Sequence, residues 1–375
     1  MPWKVQLMSK LRADLVRSIL VEQTPIAEVC RSFGVSRKTA YKWLQRAQAP
    51  GGCSFQDRSR RPQCSPRKTS KALEKRIVKL RDDHKWGARK LRAILQQRHV
   101  AVPSIRTVHT ILYRHQRLTP PPPPRPIPQS FVRREPNELW QLDFKGPVEI
   151  RRRRIHTLSV LDDHSRFLLG LRACTDLTYA TTRSVLWVLF AEFGLPEAIL
   201  CDNAFAARNS GIGLSAFDAW LLQLDIKPVH GRPYHPQTQG KVERFHGTLQ
   251  RELWPVICRD SLTHFQSDLN RWRRRYNTLR PHEALDDRTP QRCWRPSLRR
   301  RPDKLPEVSY PAGSILRRVD VNGQVSWRGA RILAGWGLAG QTVRVDENEH
   351  EVTIYFIRQC VRRLTHTQLR KRRSL

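Results

Sequence analysis

Three acidic residues stand out by their surroundings. Asp143 lies in Glu138-Leu139-Trp140-Gln141-Leu142-Asp143-Phe144, a strand-like run in which one acid sits among apolar side chains. An unpaired carboxylate is costly to bury there, so Asp143 needs a partner. Asp202, followed by Asn203, ends the short apolar run Ala198 to Cys201, and strand ends in α/β sheets are where ligand-binding groups collect. Glu243 sits beside a helical stripe of Val242, Phe245, Leu249 and Leu253, after the breaker-rich loop 233–240. Acids from a central strand, a strand end and a helix suit a two-metal phosphoryl-transfer site, where carboxylates hold two hard cations about 4 Å apart. One cation activates the attacking oxygen and the other stabilises the leaving one.

The segments between the acids supply the scaffold. Ile155 to Leu161 and Phe167 to Leu171 are β-rich runs joined by Asp162-Asp163-His164-Ser165, which reads as a turn and makes an antiparallel meander with the first strand. A turn-forming role for Asp162 and Asp163 outweighs a metal role. A helix over Thr178 to Phe193, closed by Gly194 and Pro196, leads into the run before Asp202. His235 in the loop, and Arg244, His246 and Gln250 on the Glu243 helix, are candidates to reach outward to nucleic acid; packing roles compete for both histidines. Arg271, Arg273, Arg274 and Arg275, on a helix with Trp272 and Tyr276, form a candidate track for a phosphate backbone, and Arg151 to Arg154 reads as a solvated hairpin face.

A polyanionic partner follows from composition. The chain has 375 residues, 69 Lys and Arg against 33 Asp and Glu, a net charge of +36 and a pI of about 11.1. Residues 1–118 hold 27 of the basic and 7 of the acidic side chains. That third reads as two helical modules. In the first, Leu11, Leu15 and Ile19 mark one helix, and a helix, Gly34 turn, helix pattern follows, with Ser36 placed to cap the last helix. Its outward Arg37, Lys38, Tyr41 and Lys42 are candidates for a DNA major groove, although a plain basic helical hairpin has the same pattern. In the second, Leu73, Ile77 and Leu80, then Leu91, Ile94 and Leu95, then Val108, Ile111 and Leu112 mark three helices, and Arg106 near the start of the third is a further DNA candidate. Arg58, Arg60 and Arg61 between the modules suit either a minor-groove arm or a solvated linker.

These readings divide the chain into a helix-turn-helix module at 1–50, a basic linker at 51–68, a second helix-turn-helix module at 69–118, a polyproline spacer at 119–130, an α/β core at 131–300, a small β-barrel at 311–360 and a basic tail at 361–375. Asn322-Gly323 is a hairpin signal in the β-rich part. The eight cysteines include no C-x-x-C pair, which argues against structural zinc and for reduced thiols in a cytoplasmic setting. No apolar run reaches membrane-spanning length.

Taken together, LWQLDF around Asp143, LCDN around Asp202, HGRPYHPQTQGKVERFHGTL around Glu243 and YNTLRPHEAL from Tyr276, with Pro290 beyond it, resemble the DDE transposases of bacterial insertion sequences, relatives of retroviral integrases. The resemblance covers most of residues 131–290. It implies an RNase H-like mixed sheet with flanking helices, helix-turn-helix modules before it and an SH3-like all-β barrel after it. It implies that Asp143, Asp202 and Glu243 bind two Mg²⁺ ions, with Mn²⁺ as a substitute, for phosphodiester hydrolysis and strand transfer. The implied partners are double-stranded DNA, as element ends and target, and further copies of the chain assembled on that DNA; no membrane is implied. Ala204 replaces the glycine common after Asp-Asn, and the Asp202 to Glu243 spacing exceeds that of retroviral integrases. The alternative is a DNA-binding regulator whose RNase H-like domain is not catalytic.

Overall fold

A computed structural model describes residues 7–49, 55–57, 68–98, 102–118, 132–201, 213–230 and 240–371. The chain forms two compact units, Met1–Lys68 and Thr69–Leu375.

The first unit holds α1 (Met8–Leu20), α2 (Ile26–Ser32) and α3 (Arg37–Ala47). The turn before α3 uses Gly34 at φ +65°, a conformation glycine adopts without steric cost, and the Ser36 hydroxyl accepts from Thr39 N–H to cap the helix. Leu15, Val16, Val29, Cys30, Ala40, Trp43 and Leu44 form its core. The guanidinium carbons of Arg12 and Arg46 lie 4.3 and 4.6 Å from the Trp43 ring centre, so part of the basic charge is spent on packing. Arg37, Lys38, Tyr41 and Lys42 are all exposed.

The second unit opens with α4 (Lys71–His84), α5 (Ala88–Gln97) and α6 (Ile105–Arg114), around Ile77, Leu80, Leu91, Leu95, Val108 and Leu112. Ser70 and Ser104 cap α4 and α6, and Arg106 is exposed. Next come β1 (Trp140–Ile150), β2 (Arg153–Asp162), β3 (Leu168–Cys174), α7 (Tyr179–Phe193), β4 (Ala198–Cys201), α8 (Ala216–Gln223), β5 (Lys227–His230), α9 (Gly240–Glu252), α10 (Leu262–Thr278) and α11 (Pro290–Cys293). The five strands make one mixed sheet in the order β3-β2-β1-β4-β5. The β1–β2 and β2–β3 pairs are antiparallel; β1–β4 and β4–β5 are parallel.

Strand alternation decides what each face buries. Trp140, Leu142, Leu158 and Val160 pack with Leu186, Phe190, Phe217 and Trp220 from α7 and α8 on one face. On the other, Leu161, Leu168 and Leu171 pack with Val242, Phe245 and Leu249 of α9 and with Phe265, Leu269, Trp272 and Tyr276 of α10. Asp143, one residue out of step with Leu142, is therefore directed to the α9 face.

The C-terminal part is all-β. Strands β6 (Leu316–Arg318), β9 (Thr342–Glu347), β10 (Glu351–Phe356) and β11 (Gln359–Thr365) form one sheet, β7 (Gln324–Trp327) and β8 (Ala330–Leu333) another, and α12 (His366–Lys371) follows. Two expectations change here. The hairpin turn is Arg328-Gly329, at φ +46° and +80°, between the paired Trp327 and Ala330; Asn322-Gly323 instead joins strands of different sheets. The segment read as a basic tail from 361 carries the rest of β11 and α12, because Leu364 and Leu369 are buried in the β core.

This part is docked on the α/β core. Ala219, Leu214 and Leu222 share its apolar cluster, and a Cβ on Gly337 would lie 2.1 Å from the Ser215 carbonyl carbon, so only glycine permits the approach. The second helical module is docked as well. Trp86 Nε1–H donates to Glu252 Oε1 at 3.0 Å, Arg280 pairs with the same carboxylate at 3.1 Å, and Arg89 reaches Asp287 at 3.0 Å.

Candidate active site

Asp143 sits within β1 opposite Ser159 of β2, and its side chain is 20% exposed. Opposed residues of an antiparallel pair share a face, so Ser159 also points toward α9. His246 of α9 completes a short chain. Its Nε2 lies 2.7 Å from Ser159 Oγ, its Nδ1 lies 3.4 Å from Asp143 Oδ2, and Ser159 Oγ also lies 3.0 Å from the Asp143 carbonyl oxygen. Burial, aided by Lys145, lowers the His246 pKa to about 4, so the ring is neutral near pH 7 and the Asp143 contact is imidazole to carboxylate, not an ion pair. A carboxylate only accepts, which favours the tautomer with its proton on Nδ1.

Glu243 is exposed in the first turn of α9, three residues before His246. Residues three apart share a helix face, so the face that carries Glu243 is the one that meets Asp143 through His246. A second tie holds the start of this helix. Lys241 Nζ donates to Asp163 Oδ1 at 2.5 Å, and Asp163 also accepts from Gln141 Nε2 at 2.7 Å and Arg133 N–H at 2.9 Å. Asp163 is thus a structural acid that pins α9 to the β2–β3 turn. Asp162 is structural too: it is fully buried and accepts from Asn137 N–H and Ser165 N–H, each at 2.8 Å, and from Ser165 Oγ–H at 2.5 Å. Burial pushes its pKa up against the pull of those bonds.

His246 was expected to reach outward to nucleic acid and does not. It is buried, because it lies one residue beyond the core stripe of α9 and finds in Ser159 a partner that repays its desolvation. Arg244 and Gln250 are exposed as expected. Asp202, His235, Arg58, Arg60 and Arg61 lie outside the described residues. The arginine track on α10 is split, since Arg273 donates to the Leu169 carbonyl and Arg275 to the Asp83 carbonyl, which leaves Arg271 and Arg274 outward. Ser159 carries no sequence signal of its own and is found only through the strand register. Lys241, too, was not singled out from the sequence, because its partner Asp163 lies 78 residues away.

The oxygen donors suit a hard divalent cation: the Asp143 side chain is 20% exposed and Glu243 is exposed on the adjoining helix face. Half-buried Cys258 and exposed Asp260 and His264 lie close enough together to share an ion.

Comparison with known proteins agrees with this architecture. Residues 133–236 and 224–290 match the Integrase core domain, 11–63 a Helix-turn-helix domain and 39–112 a Homeodomain-like domain. An uncharacterized 39.2 kDa protein of insertion element IS476 from Xanthomonas euvesicatoria is 26% identical over 287 residues, 73% of each chain. The Gag-Pro-Pol polyprotein of Simian retrovirus SRV-1 is 36% identical over 123 residues, 32% of this chain and 6% of the polyprotein. Among solved structures, the HTLV-2 integrase catalytic core domain in complex with magnesium matches at 18% identity and TM-score 0.32, over 43% of this chain and 97% of that one. No helix among the described residues is long and apolar enough to cross a membrane. The chain therefore carries helix-turn-helix and Integrase core domain matches in one polypeptide, and is similar to an insertion-element protein over 73% of each chain.

Proposed function

We propose that this protein is a transposase that binds the ends of a mobile DNA element, hydrolyses a phosphodiester to expose a 3′-OH and directs that hydroxyl at target DNA. The observation that carries the reading is the chain Asp143, His246, Ser159, which ties a partly open acid at the middle of the sheet to the helix that presents Glu243. Support for Asp202 as the third acid comes from register. Gln141 of β1 pairs with Leu200 of β4 in parallel, and in the sequence Asp143 and Asp202 each follow two residues after that pair.

Asp143, Asp202 and Glu243 would hold divalent metal, Mg²⁺ or Mn²⁺, which supplies Lewis-acid activation of the attacking oxygen and charge stabilisation at the leaving one. The protein's own part is placement. Ser159 and His246 orient the Asp143 carboxylate, and Lys241 on Asp163 fixes the start of the helix that bears Glu243. Exposed Arg37, Lys38, Tyr41 and Lys42, with Arg106, supply the recognition surfaces for duplex DNA, and Arg244 and Gln250 lie on the same helix as Glu243. Binding should weaken steeply with salt, because neutralised phosphates release counterions. Joining two element ends requires at least two protomers on the DNA.

The test is Asp143→Asn, assayed on duplexes from the DNA flanking the gene. End binding should persist while Mg²⁺-dependent nicking and joining fall by about 10³-fold or more, the equivalent of several kcal/mol of lost transition-state stabilisation. Joining retained by the variant refutes the assignment, and a wild-type protein that binds ends without cutting them favours the regulator.

A further inference from the structure

A cavity of about 230 Å³ opens between the second helical module and the α/β core, and its charged lining is nearly all of one sign. Lys241, Arg244 and Arg251 enter it from one face of α9, Arg166 from the β2–β3 turn, Arg280 from just beyond α10, and Lys90 from α5. Glu283 is the single carboxylate of the lining, and it is engaged by Arg89. Lys241 is paired with Asp163 and Arg280 with Glu252. Lys90, Arg166, Arg244 and Arg251 make no ion pair among the described residues, and His282 Nε2, in the same wall, is buried without a hydrogen-bond partner. Cations gathered in a partly buried space raise each other's energy unless an anion joins them. The Lys90 amine registers that field: burial, with Arg280 and Arg251 nearby, lowers its pKa to about 8.

We propose that this cavity seats one backbone phosphate of a DNA duplex, clamped between Lys90 of the second helical module and Arg244 and Arg251 of the helix that carries Glu243. Phosphate is the anion these groups fit. Guanidinium forks bond its oxygens in pairs, and Lys90 adds a point charge. The contact carries no sequence information; it sets register, so that DNA held by the helical module enters the core at a fixed step. It also gives the YNTLRPHEAL motif a task, since Tyr276, Arg280 and His282 all lie in the cavity wall.

The inference rests on the DNA-processing reading for the identity of the duplex, and its test is kept apart from catalysis. Full-length wild type, Lys90→Gln, Arg251→Gln and Lys90→Arg are titrated with fluorescein-labelled duplex in EDTA, by anisotropy, across about 50 to 200 mM salt. Each Gln variant should bind about tenfold more weakly at the low-salt end, with a log–log salt slope reduced by about 1, and Lys90→Arg should restore the slope. Unchanged affinity and slope overturn the proposal, as does weaker binding with an unchanged slope and a lowered melting temperature, which marks loosened packing. Slope changes on an RNA duplex but none on DNA also overturn it. If the slopes shift as expected while wild type cuts nothing in Mg²⁺, the phosphate seat stands and the transposase reading falls.

Discussion

Two sets of acids share one sheet and differ in what surrounds their oxygens. Asp162 and Asp163 are fully buried and surrounded by donors: Asn137, Ser165, Arg133, Gln141 and Lys241 fill their lone pairs. Asp143, opposite Ser159 on the same pair of strands, is one-fifth exposed, with a neutral imidazole at 3.4 Å. An acid saturated by hydrogen bonds has nothing left to give an ion, and its removal strands the donors around it. An acid that its contacts orient and that stays part-exposed can be reached by a ligand. Burial, not proximity in sequence, separates the structural acids from the candidate catalytic one.

Crossed substitutions test that division. Asp143→Asn should lose about 10³-fold or more in strand cleavage and joining yet shift unfolding by no more than about 0.5 kcal/mol, which denaturant melts will register. Asp162→Ala should do the reverse: three buried donors lose their acceptor, at about 1–3 kcal/mol each, so unfolding should move by roughly 3–9 kcal/mol. A stable, folded Asp162→Ala protein with no activity would make Asp162 part of the chemistry and break the comparison. His246→Ala sharpens it, because only orientation is removed. Cleavage should slow by about 10- to 100-fold, with a higher Mg²⁺ requirement, and His246→Asn, still able to bond Ser159, should recover part of the loss.

A third acid extends the contrast beyond the sheet. Glu252 accepts from Trp86 and pairs with Arg280, so Glu252→Ala should cost about 2–4 kcal/mol and speed hydrogen exchange across 71–114, with less effect on the sheet. The smallest effect concerns acid. Burial, then Arg280, Lys90 and Arg166, hold the His282 imidazole well below its usual range. Its folded pKa is depressed, so its contribution is complete above the unfolded value of 6.5 and is lost as the pH falls below it. The unfolding free energy should drop by about 1.4 kcal/mol per pH unit on this account between pH 6 and 4, and His282→Gln should flatten that slope.

Much of the scaffold was legible along the chain. Ser36 and Ser104 announce the helices they cap, the run Ala198 to Cys201 is strand β4, and the Asp162-Asp163-His164-Ser165 turn closes the meander. What misled was local chemistry read without its surroundings. Asn322-Gly323 has the composition of a hairpin turn, but the strands that flank it pair elsewhere. His246 looks solvent-facing on a helix rich in charge, until Ser159, 87 residues away, is found beneath it. Arg273 and Arg275 seemed free for phosphate because their acceptors, the Leu169 and Asp83 carbonyls, belong to other elements.

The sequence alone determined the periodicities, the caps, the basic excess of the N-terminal third and which acids were available, because these depend on stereochemistry and charge among near neighbours. The tertiary structure decided which acids are saturated and which stay open, turned His246 inward, and gathered Lys90, Arg166, Arg244 and Arg251 around one cavity. Burial and partnership are set by groups distant in the chain, and only the folded arrangement brings their fields and hydrogen bonds to one point.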